Sequence, residues 1–415
     1  MATQSTRSRA PVRRLAVARL ISITGGAAAY LTLNYTIYKR TGSAAWVAAA
    51  LFLTFGMTGF VSPFAGALGD RFDRRRVMIA SDLAGAACFF AMAMVHAPWL
   101  LLAFAFLSAV AEAPFLSASS AAIPNLVDDQ DLGWANGMVA IGRNAGILVG
   151  PLIGGVLVST IGAGSVFGVN AVTFLASAGL VATVHGRFNA DRSAGDEEHR
   201  GLRAGFRFLS SDPVLRTITL SFLAIVLGLA MTMVADVPLV ALFHAGSFGY
   251  GSLIACWGGG SIVGSVLGRY IRSKTEPAAL VIGIAVISAM SIAVGFSPWF
   301  SFVLGAIFVM GVGDGVTLVA EQGIMQRRTP DAVRSRVSGA FDACVHVGMA
   351  LSYVAAGPLV SWLGAKGVYV VGGGIALVGV AIALPILRSA RQAAPPMELS
   401  PEPGQGPDAA TLLVP

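Results

Sequence analysis

Seven ionisable residues stand inside long apolar runs: Glu112, Arg143, Asp236, Asp314, Glu321, Asp342 and His346, with Arg19 shallower in the first run. A charge in hydrocarbon is costly, so acids and bases kept there are candidates for proton binding or for a paired functional site. A carboxylate that is buried or loses a positive neighbour holds its proton more tightly, so one group can take up a proton in one conformation and release it in another. Glu112 and Arg143 each lie about eleven residues from the ends of adjacent runs, and at roughly 1.5 Å per residue that depth predicts an ion pair. Asp314, together with Asp342 and His346 one turn apart, forms a second candidate group. Asp236, just before Pro238, reads as a gate residue or a solvated acid, and Glu321 as a partner for Arg327 or Arg336.

Elements that could hold these groups follow from composition. Of the 415 residues, 55% are apolar and 12% charged, about half the roughly 25% charge of a soluble domain. Fifty glycines without a three-residue period exclude a collagen-like chain, and the three cysteines, Cys88, Cys256 and Cys344, stand singly in apolar runs rather than as a disulfide framework. The net charge of +7 is not gathered on one basic face, so nucleic acid is not an expected partner. A membrane-spanning helix needs about 20 apolar residues. Twelve such runs are expected at 15–38, 44–68, 77–96, 98–122, 132–158, 164–184, 214–243, 248–268, 277–296, 299–325, 333–362 and 367–387.

Placing both termini in the cytoplasm puts 22 Lys and Arg residues in inner segments and 3 in outer loops, which sets the orientation. The expected location is the inner, cytoplasmic membrane, with an uncleaved first span. The organisation predicted is a cytoplasmic segment 1–14, a six-helix bundle 15–184, a cytoplasmic linker 185–213, a second six-helix bundle 214–388 and a disordered tail 389–415.

The halves resemble one another. Pro11 and Pro213, Gly137 and Gly339, and Glu112 and Asp314 are all 202 apart; Gly66 and Gly264, and Arg71 and Arg269, are 198 apart; Pro124 and Pro330 are 206 apart. A nearly constant spacing indicates a duplicated six-helix unit, an arrangement that places a binding site at the midplane between the copies.

Between the second and third runs the chain reads Gly66-Ala67-Leu68-Gly69-Asp70-Arg71-Phe72-Asp73-Arg74-Arg75-Arg76. This resembles the loop signature of the major facilitator superfamily, with Gly66, Asp70, Arg71, Arg74 and Arg75 as gating residues. In the fifth run, Gly137, Gly146, Gly150, Pro151, Gly154 and Gly155 are similar to the antiporter signature of proton-driven drug exporters in that superfamily. Ile123-Pro124-Asn125-Leu126-Val127 and Gln326-Arg327-Arg328-Thr329-Pro330-Asp331 resemble the branch containing macrolide-efflux and enterobactin-export proteins. Where members often carry a polar residue in the first span, this chain has Gly25 and Gly26.

The resemblance implies an all-α membrane protein: twelve transmembrane helices in two pseudo-symmetric six-helix bundles, the major facilitator fold. It implies a secondary active transporter that exports hydrophobic or amphipathic small molecules by proton antiport; a siderophore or secondary-metabolite exporter, or an uptake transporter, is the alternative. The expected partners are a small-molecule substrate, protons and the lipid bilayer, with the chain a monomer. The energy source would be the proton gradient, without a cofactor or metal. Proton coupling would fall to Glu112, Arg143, Asp314, Asp342 or His346, and the substrate cavity to Tyr30, Asn34, Tyr35, Phe115, Met231 and Met233. An enzyme is not expected, since the chain lacks a phosphate-binding Gly-rich loop, paired Cys or His metal spacing and a nucleophile elbow.

Overall fold

The computed structural model describes residues 9–57, 61, 68, 71–184, 188, 198–330 and 333–389, and no strand occurs among them. Pro11 opens α1 (Ala10–Thr41), where a missing N–H is harmless, and Gly42 ends it with a left-handed φ of 63°. The chain turns straight into α2 (Ala44–Leu51), which continues as a π turn, Phe52–Gly56. Asp73 caps α3 (Arg74–Met94) by accepting the Arg76 N–H at 3.0 Å. The fourth helix, α4 (Pro98–Leu126), tolerates Pro114 and Pro124 in its interior.

Helix Leu132–Ala182 breaks at Gly162, whose φ of 81° suits glycine, into two arms, α5 and α6. After the connecting helix Glu198–Ser211 come α7 (Pro213–Leu242), capped by Asp212, α8 (Gly246–Leu267), α9 (Glu276–Gly295) and α10 (Phe300–Arg328). Helix Arg334–Ala383 breaks at Gly364, with φ 70°, into α11 and α12. Apolar runs alone predicted separate helices here, with connections near 158–164 and 362–367. A single glycine makes each turn instead, because one residue with positive φ redirects the chain without a loop. Gly162 and Gly364 are also 202 apart, so the hinge repeats with the duplication.

Nine helices among the described residues are long and apolar enough to cross a membrane. Two of them are the broken pairs, and Ala44–Gly56 is a shorter apolar helix, a set consistent with twelve spans. Residues 1–8 and 390–415, and with them most of the segments expected at 1–14 and 389–415, lie outside the described residues.

Glycines let the helices meet backbone to backbone, as lipid-embedded helices require. A Cβ at Gly146 would stand 2.9 Å from the Ile23 side chain, one at Gly150 2.6 Å from the Thr24 carbonyl oxygen, and one at Gly154 2.8 Å from Ala28 Cα. At intervals of four residues these glycines lay one face of α5 along α1. In the second half Gly260 and Gly264 of α8 lie directly on the Phe308 and Val312 carbonyls of α10.

Three buried clusters result. One is internal to the first half near the chain ends and includes Leu15, Met78 and Phe115; another is internal to the second half and includes Leu215, Ile284 and Ile324. The third joins both halves on the far side, with Leu31, Val47 and Leu51 packed with Val234, Leu239 and Tyr353. The halves therefore share a core on the side opposite the chain ends and part on the other.

At the chain-end side Arg9 binds Asp131 at 2.6 Å and stacks with Arg13 on Trp134. The exposed Arg9 guanidinium holds the partly buried Asp131 carboxyl below its ordinary range, so this tie is present above that range and is lost as pH falls through the lowered value.

Gly264→Ala should destabilise the folded protein by about 2 kcal/mol, since backbone must move to admit the methyl group. Gly305→Ala, with no atom within 4 Å of its Cβ position, should leave the melting temperature unchanged; thermal unfolding in detergent compares the two.

Candidate functional site

Between the halves lies a cavity of about 1050 Å³. Its wall runs from Thr329 and Arg334, near the chain-end side, to Asn34, Asp236, Tyr250 and Tyr369 at the far side. The cavity is thus open toward the chain ends and closed on the far side. Among the described residues five acids line it, Glu112, Asp236, Asp314, Glu321 and Asp342, against one base, Arg334. Aromatic and thioether side chains complete the wall, among them Tyr30, Phe55, Trp257, Met233, Met310 and Met349, a pliable surface suited to varied apolar ligands.

Glu112 on α4 and Asp314 on α10 occupy matching places in the two halves, and both face the cavity. Ser261 of α8 donates to Asp314 Oδ2 at 3.0 Å, a bond permitted by the close α8–α10 contact. The predicted Glu112–Arg143 ion pair does not form. The base whose charge acts on Glu112 is Arg19 of α1, and Arg143 is exposed on α5 with its charge acting on Arg19. Equal depth placed the residues correctly along the membrane normal but left the rotation of each helix undetermined. Arg19 is buried, and its Nε has no partner among the described residues.

Asp342 is open to the cavity. His346 is not on the wall; its Nδ1 donates to the Asp342 carbonyl at 2.8 Å, a bond within its own helix. Of the predicted substrate contacts, Tyr30, Asn34 and Met233 line the cavity. Phe115 and Met231 instead fill buried clusters, and Tyr35 packs against the shared core. Those helices are apolar around their whole circumference, so spacing alone did not mark which face turns inward. Glu276, not Glu321, takes Arg327 as its ion partner.

The arginines after the second span bind backbone. Arg74 donates to the Ala121 carbonyl near the end of α4 at 2.9 Å, and Arg75 to the Ala182 carbonyl at the end of α6, where a cation is favoured. Arg71 lies over the Phe72 ring. Gly66 and Asp70 lie outside the described residues.

The fifth-span motif divides its work. Gly137 faces open space, while Gly146, Gly150 and Gly154 seat α5 on α1. Gly155 and Pro151 instead face α8 of the other half: a Cβ at Gly155 would stand 2.8 Å from the Ser247 carbonyl oxygen, and one at Gly251 2.6 Å from that of Pro151. The Ser247 hydroxyl donates to the Gly155 carbonyl at 3.0 Å. The matching contact joins Ala45 of α2 to Gly357 of α11, where a Cβ would stand 3.1 Å from Ala45 Cα. These two helix pairs close the far side.

Two acids stand apart from the sequence expectations. Asp236 is buried rather than solvated, and its Oδ1 accepts the Tyr369 hydroxyl hydrogen bond. Asp82 of α3 is 1% exposed beside Ser177 of α6, with Oδ2 lacking a partner among the described residues. Its place inside the apolar run that begins at Val77 was the available signal.

The sequence profile described as Major Facilitator Superfamily matches residues 15–292 and 237–411. Among relatives, the multidrug efflux pump Tap of Mycobacterium tuberculosis is 25% identical over 405 residues, 92% of each chain. The enterobactin exporter EntS of Citrobacter koseri is 27% identical over 408 residues, 92% of this chain and 94% of its own. A solved structure of a variant of the nucleoside transporter NupG superposes with a TM-score of 0.74 at 14% identity, covering 91% of this chain and 99% of that one. At that identity the likeness is one of fold.

Gly155→Leu should wedge α8 from α5. With the native cysteines replaced by alanine, a cysteine introduced by Met233→Cys is expected to react with a membrane-impermeant maleimide from the chain-end side alone when Gly155 is kept, and from both sides in Gly155→Leu.

Proposed function

The chain belongs to the Major Facilitator Superfamily, a multi-pass membrane transporter for small molecules rather than an enzyme, and from that premise we propose that it exports cationic amphipathic compounds in exchange for protons. The reading rests on one observation: among the described residues, five carboxylates and one arginine on a wall otherwise mostly aromatic, aliphatic and thioether. A cation entering such a cavity meets opposite charge and apolar surface together, whereas an anion meets repulsion at each acid. That balance favours drug-like cations over an anionic siderophore as cargo.

Exchange needs the same acids to hold either a proton or the substrate's positive charge, and not both. Glu112 and Asp314, at matched depth on opposite walls, are the proposed coupling pair, with Arg19 setting the charge that Glu112 feels; Asp342, near the mouth, receives the entering cation. Orientation with the chain ends in the cytoplasm follows from the arginine distribution. The open side then faces the cytoplasmic membrane's inner surface, where a substrate bound for export enters. The transport cycle rocks the two halves about the midplane, with a single chain as the functional unit.

Liposomes containing the purified protein and an internal pH-sensitive dye, given a proton gradient, test this with a panel of cationic drugs, dyes, macrolides and siderophores. Cationic compounds should elicit proton movement and siderophores should not. Glu112→Gln or Asp314→Asn should cut that exchange by about tenfold or more, equivalent to about 1.4 kcal/mol of barrier. Asp342→Asn should mainly raise the substrate concentration needed. Proton movement driven only by siderophores, or by no ligand at all, would overturn the reading.

A further inference from the structure

We propose that Arg19 of α1 and Arg143 of α5 form a binding site for the phosphate of an anionic phospholipid, taken from the leaflet on the chain-end side through the gap between α5 and α8. The site stands outside the cavity wall, and its existence does not rest on the proton-exchange reading above.

Glycine contact holds the two bases together. A Cβ at Gly142 of α5 would stand 3.1 Å from the Ala16 carbonyl oxygen, and one at Gly146 2.9 Å from the Ile23 side chain, so α1 and α5 touch on either side of the turn that carries Arg19 and Arg143. The charges of these arginines act on each other, and among the described residues neither guanidinium makes a hydrogen bond or a close ion pair. Arg19 is 7% exposed with its Nε unpartnered, whereas Arg143 is exposed. Glu112 acts on Arg19 from beyond hydrogen-bond reach, which leaves one carboxylate for two cations. A buried guanidinium without an acceptor, beside a second positive charge, is costly, and an anion offering several oxygens relieves both costs. Phosphate oxygens suit the planar donor fork of arginine.

Depth identifies the source of that phosphate. Arg143 lies 19 residues before the Gly162 turn, and Arg19 lies 22 residues before Thr41, the far-side end of α1. At about 1.5 Å per residue these lengths are about 28 Å and about 33 Å, against a hydrocarbon core about 30 Å thick. Both guanidiniums therefore stand where hydrocarbon gives way to headgroups.

The approach is lateral. Arg143, Ile147 and Pro151 follow one another at intervals of four along one side of α5; Ile147 and Pro151 line the cavity, and Pro151 meets Gly251 of α8 at the far-side contact. Arg143 continues that row toward the chain ends, where the halves part, and nearby Ile141 is 68% exposed. A soluble anion at this mouth faces Asp342 and Glu321 on the second half, whereas a headgroup arrives from the lipid side without meeting them. Phosphate and Glu112 then share Arg19, so lipid and carboxylate compete for one cation.

Native mass spectrometry of the detergent-purified protein titrated with phosphatidylglycerol counts the lipids that stay bound as collision energy rises. One lipid should be retained by the unsubstituted protein and by Arg216→Gln, which removes an exposed arginine from the opening turn of α7. Arg143→Gln should lose it, and Arg143→Lys, charged but without the fork, should release it at lower energy than the unsubstituted protein. Glu112→Gln, which frees Arg19, should hold the lipid to higher energy. Equal retention in the unsubstituted protein and Arg143→Gln, or equal loss in Arg143→Gln and Arg216→Gln, would overturn the site. Release of the lipid by excess inorganic phosphate would overturn it too, by giving the arginines to a soluble anion. Should Arg143→Gln fail to fold, the absence of any gain in Glu112→Gln decides against the proposal. Absence of substrate-driven proton movement in liposomes would count against the exchange reading alone, because lipid retention is read without substrate or gradient.

Discussion

Lipid offers an ionised carboxylate neither water nor a counter-charge, and the architecture is organised around that constraint. Acids within the spans must face water, a base or a proton. The cavity gives water to Glu112, Asp314 and Asp342, Arg19 gives Glu112 a base, and Asp236, 8% exposed at the blind end of the cavity, takes the Tyr369 hydroxyl hydrogen bond. Because the wet space has to reach the middle of the membrane, the halves cannot share one continuous core. They share one on the far side and keep separate cores near the chain ends, which is the geometry of a path open to one side at a time.

The close approach of the helices follows from the same demand. Apolar side chains gain nothing from leaving lipid for one another, so helix pairs cohere by contact area and polar bonds rather than by the hydrophobic effect. Gly146, Gly150 and Gly154 supply that area between α1 and α5, and Gly260 and Gly264 between α8 and α10. Proximity then makes polar links such as Ser261 to Asp314 possible.

Membrane insertion and the duplicated halves were legible in the sequence, because length, composition and residue spacing act along the chain. What lay around each helix was not. Tyr30 and Asn34 face the cavity while Tyr35 on the same helix packs into the core, and a span apolar on every face carries no mark of that difference. Phe115 and Met231 were misplaced for this reason, as was the partner of Glu112. Of the two readings of Asp236, gate residue or solvated acid, the solvated one fails, because burial beside Tyr369, from a distant part of the chain, is a property of packing. The two glycine hinges at Gly162 and Gly364 shared the 202 spacing in plain view, but apolar runs blurred them into loops.

The contact of Pro151 and Gly155 with Gly251 across the far side has a mechanical meaning. Surfaces built from main chain present no side chains to interlock, so they part and rejoin without any rotamer having to turn out of the way. Such a joint is smooth, held among the described residues by dispersion and the Ser247 bond. Its resting position is therefore open to small chemical biases nearby, because no interlocked side chains hold the joint in place.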